Sequence, residues 1–265
     1  MNRYLQVAVE TAQQAGALLL TEFQKPRTIE YKSDVDIVTE ADRRSEAFIV
    51  ERLRTCFPGH AIVAEEGSPE RVGVSEYCWY VDPLDGTTNF AHGYPVFAVS
   101  IALVAGEETL VGVVHDPVRG ETFHAARGEG AWLNQKRIRV SATPRLAESL
   151  LATGFPSRKR HENPNVLYYH RFTLLSHGVR RAGSAALDLC TVACGRFDGF
   201  WEFNLKPWDT AAGVLVAREA GGVVTDFNGV PYRLGDAEIA ASNGHIHPEL
   251  QHVFAEVAAQ ASRFL

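Results

Sequence analysis

Leu5, Ala8, Ala12, Ala15, Leu19 and Phe23 return at helical spacing, which predicts an amphipathic helix over about residues 2–24. A second helix is predicted after Thr39, with Thr39 and Asp42 as a capping pair in which Asp replaces the usual Glu. "CFPGH" stops that helix, and the short apolar run of "AIVAEEG" reads as a strand ending on acids. A charged loop leads to a strand at Cys78–Val81. "VFAVSIALV", "TLVGVVHD", "ETFHAAR" and "GAWLN" follow in quick succession, joined by turns such as "GEE" and "DPVRG". Short turns between strands imply antiparallel neighbours, so this region predicts one substantial antiparallel sheet with helices against it.

Near residue 146 the pattern changes. "SLLATG", "GVRRAG", "GFWEF", "GVVTDF" and "EIAASN" read as strands, and helical stretches fall at about 163–176, 184–195, 208–220 and 247–262. Alternating strand and helix predicts a mostly parallel sheet covered on both faces. The fold class is therefore α/β (α+β). An N-terminal lobe, 1–145, carries the antiparallel sheet, and a C-terminal lobe, 146–265, carries the parallel one. With no internal repeat and no long linker, the two are expected to pack as one unit, with any site at the lobe interface.

Length and charge narrow this. At 265 residues the chain is long for one simple core and short for two independent domains. A formal net charge of −6 supplies no global basic field for nucleic acid. The local clusters Arg158, Lys159, Arg160 and Arg180, Arg181 read as solvated faces. Cys56, Cys78, Cys190 and Cys194 form no CxxC pair and read as thiols in a reducing cytoplasm. Glu10, Gln13 and Gln14 interrupt the N-terminal apolar residues, which argues against an export signal. No apolar run is long enough to span a bilayer. A cytoplasmic location is expected.

Chemistry collects where acids fall at element ends. Glu65 and Glu66 end the "AIVA" strand, Asp82 ends the "WYV" strand, and Asp85 follows across a sharp turn. Asp42 and Asp209 stand at helix starts, where either could be only a cap or a dipole partner. Strand ends in sheets covered by helices are where ligands usually bind. Two carboxylates within four residues repel unless something positive sits between them, and oxygen-only donors suit Mg²⁺ or Mn²⁺ rather than zinc. In "DPLDGTT", Pro83 fixes the chain direction after Asp82. Leu84 can turn its carbonyl inward while its side chain enters the core, and Gly86 lets the backbone approach a ligand. A helix starting at Gly86–Thr87 would aim free amides at a phosphate. Carboxylates for metal beside amides for phosphate point to metal-assisted phosphoryl transfer.

Haloacid-dehalogenase-type phosphatases carry an Asp-x-Asp-Gly-Thr motif with a nucleophilic first aspartate. Here Pro83 and Leu84 separate the two acids, which turns the second side chain elsewhere and favours activated water. No G-x-S-x-G elbow, P-loop or G-x-G-x-x-G motif is present. The ordered set "VTEAD", "AEE", "VDPLDGTTNF", "GSAALDLC" and "PWDTAAG" resembles the inositol monophosphatase family over nearly the whole chain. "TTN" after "DG" and the following "FAVSIAL" lean toward this family over related fructose-1,6-bisphosphatases, histidinol-phosphate phosphatases and 3′-phosphoadenosine phosphatases.

The resemblance implies an αβαβα sandwich, usually a homodimer, with two or three Mg²⁺ ions and lithium sensitivity. It implies hydrolysis of myo-inositol 1-phosphate by metal-activated water. Glu65, Asp82 and the Leu84 carbonyl would hold one ion, and Asp82, Asp85 and Asp209 a second, with Asp82 bridging. A weaker third would lie near Glu65. Thr87, hydrogen-bonded toward Asp42, would work with Glu65 to orient and deprotonate the water, and the Gly86 and Thr87 amides would bind phosphate. Substrate hydroxyls would meet Asp85, Gly183, Ser184, Ala185, Glu202 and Asp209. Lys32 matches a family loop lysine near the metals.

Bland roles compete at several positions. Glu202 could be a surface acid at a strand end, and Ser184 the cap of the helix "SAALDLC". The ten histidines form no metal triad; His245 and His247 read as structural or exposed, and His92 as at most a substrate neighbour. The same chemistry on histidinol phosphate, fructose 1,6-bisphosphate or a nucleotide phosphate remains an alternative. So does an interaction protein that uses Arg180 and Arg181 to bind a protein or RNA.

Overall fold

The computed structural model describes residues 2–25, 30–31, 37–67, 75–155 and 163–261. Helix α1, Arg3–Phe23, opens on Asn2, whose side chain accepts from the Leu5 amide, and buries Leu5, Ala8, Ala12, Ala15 and Leu19 on one face. Strands β1, Glu30–Tyr31, and β2, Ile37–Val38, pair antiparallel ahead of helix α2, Glu40–Cys56. Strand β3, Ala61–Ala64, lies parallel to β4, Tyr77–Asp85. A short helix α3, Thr87–Ala91, leads into the meander β5, Ala98–Ala105, β6, Glu108–Asp116, β7, Glu121–Ala126, β8, Ala131–Leu133, and β9, Lys136–Arg137. These seven strands form one sheet in the order β3-β4-β5-β6-β7-β8-β9, antiparallel except at its β3 edge.

After a 3₁₀ turn at Leu146–Glu148 come β10, Leu150–Thr153, α4, Asn165–Leu175, β11, Gly178–Arg180, and α5, Ala185–Ala193. Then follow β12, Gly199–Phe203, α6, Pro207–Glu219, β13, Val223–Thr225, β14, Glu238–Ser242, and α7, His247–Ala261. The second sheet has the order β11-β10-β12-β14-β13. β11 and β12 both run parallel to β10, and β14 is inserted antiparallel between β12 and β13. Four strands therefore share one direction, which is the mostly parallel sheet that the alternating pattern predicts.

Burial sorts these elements into five layers, αβαβα. One core lies between α1, α2 and the seven-stranded sheet, with Leu19, Ile49, Trp79, Leu84 and Phe97 at its centre. A second is built around α5 and α6, which lie between the two sheets. A third packs α4 and α7 on the outer face of the five-stranded sheet through Phe172, Trp201 and Phe254. The fit of α6 on the seven-stranded sheet is tight. A Cβ on Gly112 of β6 would stand 2.7 Å from the Ala212 carbonyl oxygen and 2.9 Å from its Cα.

Side chains alternate across a strand. On β4, Trp79 and Val81 enter the α1/α2 core, so Tyr80 and Asp82 face the α5/α6 layer. On β12, Trp201 enters the outer core and Phe200 the middle one, which puts Glu202 on the middle face. Acids from both sheets thus converge on one helical layer.

The main departure from the sequence reading is β4, which continues past Val81 to Asp85. Its pairing with β5 shifts between Asp82↔Ser100 and Asp85↔Ala98, so Pro83 and Leu84 oppose one residue, Val99. Pro83 has no amide to give to the ladder, and the Leu84 amide turns to Asp82 Oδ1 at 3.0 Å. The four cysteines, all among the described residues, form no disulfide. Among the described residues no helix is long and apolar enough to cross a membrane.

Candidate active site

The site forms where β3 and β4 end against the starts of α2, α3, α5 and α6. Parallel pairing of Ala64 with Val81 carries the next residues, Glu65 and Asp82, out side by side, and the Glu65 amide still donates to the Val81 carbonyl at 3.3 Å. The bulge then re-aims the chain. Leu84 sends its side chain into the core, where burial stabilises it by about 2 kcal/mol relative to exposure. The Pro83 carbonyl is held by Ser45 Oγ at 2.8 Å, and the Leu84 carbonyl accepts from Thr87 Oγ1 at 3.0 Å. Gly86 follows at φ +99°, a conformation only glycine adopts readily, and α3 begins at Thr87.

Asp42 and Asp209 share a device. Each is the third residue of its helix and folds one oxygen back onto the chain entering it. Asp42 Oδ2 accepts from the Thr39 amide at 2.8 Å and its hydroxyl at 2.5 Å; Asp209 Oδ2 accepts from the Lys206 amide at 2.7 Å. The capping role is real in both, and each keeps a second oxygen. Asp42 Oδ1 accepts from Thr87 Oγ1 at 3.0 Å. Asp209 is brought toward Asp82 because Ser100, the β5 partner of Asp82, donates to the Trp208 carbonyl at 3.2 Å.

Asp85 caps the start of α5 from another segment of the chain. Its Oδ2 accepts from Ser184 Oγ at 2.6 Å and from the Ala186 amide at 2.8 Å, and Ser184 Oγ also accepts from the Leu187 amide. Ser184 is thus both a helix cap and the partner of Asp85, an anion at a helix N-terminus. Asn89 Nδ2 ties α3 to the same loop, donating to the Val96 and Ala182 carbonyls at 2.8 Å each. Gly183, Ser184 and Ala185 therefore stand beside Asp85. Glu202 faces the same layer from β12, and burial first, then the fields of Glu202 and Asp85, raises the pKa of Asp188. Lys32 lies outside the described residues. His247 is buried between Thr225 and Ser242 and serves the fold.

Electrostatics make the cluster costly as it stands. Burial first, then the charges of Glu65, Asp85 and Asp209, push the Asp82 carboxyl well above the ordinary range. Burial raises Asp85 to about 6 against the opposing hydrogen bonds of Ser184, Ala186 and Ala185. Asp209 and Glu202 are both raised to about 8, chiefly by burial and partly by Asp85. Asp42 rises to about 6 by burial, opposed by its Thr39 bonds. Among the described residues, no guanidinium or ammonium is among the main groups that act on Asp82. An all-oxygen donor set crowded with like charges fits a hard divalent ion. The acids surround Asp82 without closing on it. Among the described residues, no group of three or more His, Cys, Asp or Glu side chains stands close enough to hold an ion as placed.

Some supporting groups escaped the sequence reading. Glu46 accepts from the Glu66 amide at 2.7 Å and the Gly67 amide at 2.6 Å, fixing the turn that carries Glu65. It lies four residues after Asp42 on one helix face, a spacing visible in "DRRSE". Asp188 is buried with Oδ2 unpartnered, and burial with the Glu202 and Asp85 charges holds its carboxyl well above the usual range. A lone acid in the apolar run "AALDLC" was its signal.

Comparison with known proteins adds to this geometry. The model of the inositol monophosphatase family matches residues 1–263. The chain is 46% identical over 257 residues to the inositol-1-monophosphatase of Synechocystis sp., covering 96% of this chain and 90% of that protein. It is 46% identical over 250 residues to the Nus factor SuhB of Pseudomonas aeruginosa, covering 92% of each. The solved inositol monophosphatase of Anabaena (Nostoc) sp. superposes with a TM-score of 0.86 at 44% identity, covering 96% of this chain and 95% of that one.

Proposed function

Because the chain belongs to the inositol monophosphatase family, we propose that it hydrolyses myo-inositol 1-phosphate to inositol and phosphate with Mg²⁺ or Mn²⁺. That it is a phosphatase rests on the family and on the relatives named for that activity, a family that is generally metal-dependent. The observation that carries the metal reading is Asp82, a buried carboxylate pushed well above the ordinary range by burial and by the fields of three other acids, Glu65, Asp85 and Asp209.

Glu65, Asp82 and the Leu84 carbonyl would hold one ion, and Asp82, Asp85 and Asp209 would hold a second. A weaker third ion would lie near Glu65, making a set of two or three. When bound, such ions supply the positive charge that neutralises phosphoryl oxygens and a leaving alkoxide. The chain's own residues do the rest. The Gly86 and Thr87 amides bind the phosphate. Thr87, hydrogen-bonded to Asp42, orients the attacking water, and Glu65 takes its proton. Asp85, Gly183, Ser184, Ala185, Glu202 and Asp209 receive the polyol hydroxyls, for which carboxylates are suitable acceptors. The stretches 1–145 and 146–265 act as one unit, the second supplying Asp209 and most substrate contacts. Lithium sensitivity and a homodimer belong to the same reading.

A panel of phosphate esters at matched Mg²⁺ tests the substrate. Inositol 1-phosphate is expected to give the highest kcat/KM. A histidinol phosphate value about 100-fold above it would overturn the choice, as would a comparable lead for fructose 1,6-bisphosphate or a nucleotide phosphate.

A second role is favoured by one feature. Arg180 and Arg181 are exposed and form no ion pair among the described residues, and several relatives are named Nus factors. Charge reversal at both is expected to leave turnover nearly intact while abolishing any partner or RNA association. Loss of turnover instead would tie the pair to catalysis.

A further inference from the structure

Glu202 is held by a neighbour that has no side chain. On Gly154, just past the end of β10, a Cβ would fall on both carboxylate oxygens of Glu202. Gly154 does not have a positive φ, so its backbone does not call for glycine. What calls for it is the space that Glu202 occupies.

The Gly154 backbone is in turn fixed by a closed polar network. Asn165, at the start of α4, donates from Nδ2 to the Gly154 carbonyl at 2.5 Å and to Thr153 Oγ1 at 2.8 Å. Thr153 Oγ1 donates to the Trp201 carbonyl at 2.7 Å, and the Trp201 indole returns to Asn165 Oδ1 at 2.6 Å. Thr153, Asn165 and Trp201 are all fully buried. A buried network is costly when half satisfied and rigid when complete. This one is complete, and it clamps the end of β10 to β12 at the residue before Glu202.

We propose that Gly154 and Asn165 are positioning residues for Glu202, and that together they set selectivity for polyol phosphates. Asn165 fixes the backbone at 154, and the missing Cβ leaves the slot from which the Glu202 carboxylate faces the substrate hydroxyls. The assignment rests on the reading of Glu202 as a substrate contact.

The test is a selectivity ratio measured on the full chain with Mg²⁺: kcat/KM for myo-inositol 1-phosphate over kcat/KM for p-nitrophenyl phosphate, whose leaving group has no hydroxyls to bind. Glu202→Gln, Gly154→Ala and Asn165→Ala are each expected to lower it about tenfold or more, the scale of a lost hydrogen bond to a charged group. Should Asn165→Ala not fold, Gly154→Ala decides alone, because its Cβ meets only the end of a side chain. Glu202→Asp withdraws the carboxylate by one methylene, so Gly154→Ala added to Glu202→Asp is expected to lower the ratio no further. A further drop in that double variant, or a wild-type ratio in Gly154→Ala while Glu202→Gln loses selectivity, overturns the positioning role and leaves the Glu202 reading intact. An unchanged ratio in Glu202→Gln overturns both.

Discussion

Thr87 Oγ1 stands 3.0 Å from Asp42 Oδ1 and 3.0 Å from the Leu84 carbonyl oxygen. One hydroxyl has one proton, so it satisfies one acceptor at a time and leaves its lone pairs for a third partner. Replacing Thr87 by Val keeps the shape and removes the relay. Turnover is expected to fall about 10²–10³-fold, while Thr87→Ser keeps most of it. Steady-state kinetics on both variants check this, and full turnover in Thr87→Val beside a loss in Thr87→Ser would show that the methyl matters and the hydroxyl does not.

Asp209→Asn separates the cap from the ligand. A carboxamide oxygen still accepts from the Lys206 amide, so α6 keeps its start. The buried negative charge goes, and turnover is expected to drop about a thousandfold with the melting temperature held. Asp85→Asn is expected to act alike, since its oxygen can still accept from Ala186. Full activity in either variant would remove that residue from the metal assignment.

The raised carboxyls make stability depend on pH. Folded pKa values above unfolded ones mean that the folded state holds extra protons, so stability falls as pH rises. For Asp42 and Asp85 the window runs from the ordinary range up to about 6, and for Asp209 and Glu202 up to about 8. Chelated protein is therefore expected to melt lower at pH 8.5 than at pH 6, with Mg²⁺ raising the melting temperature more at the higher pH. Thermal melts with and without chelator measure both arms, and a flat profile would contradict the charge cluster.

Gly86→Ala is expected to destabilise the fold by about 1–3 kcal/mol, because φ is +99° and the added Cβ would stand 2.9 Å from the Val96 carbonyl. Gly59→Ala meets nothing within 4 Å and serves as the control. Turnover should follow the first and ignore the second.

Much of the acid cluster was legible because it sits on local punctuation. Asp82 and Glu65 end apolar runs, Asp42 lies three residues after a threonine, and Gly86 follows the second acid of a Pro-containing turn. The extension of β4 to Asp85 was not, since a proline normally ends a strand and only the β5 register reveals the bulge. Less legible still are the groups whose partners are remote in sequence. Ser45 reaches a carbonyl 38 residues away and Asn89 one 93 residues away, and no local pattern encodes such bonds. Asn165 reads as an ordinary helix-start residue until Thr153 and Trp201 close around it.

Gly112 carries none of the chemistry, yet α6 rests on it with no room for a methyl group, one helical turn past Asp209. Any larger residue there must lift the helix that delivers a carboxylate to the cluster. A scan of every position for lost activity would therefore score Gly112 among the active-site residues, and natural drift at this strand position is constrained by a reaction it never touches.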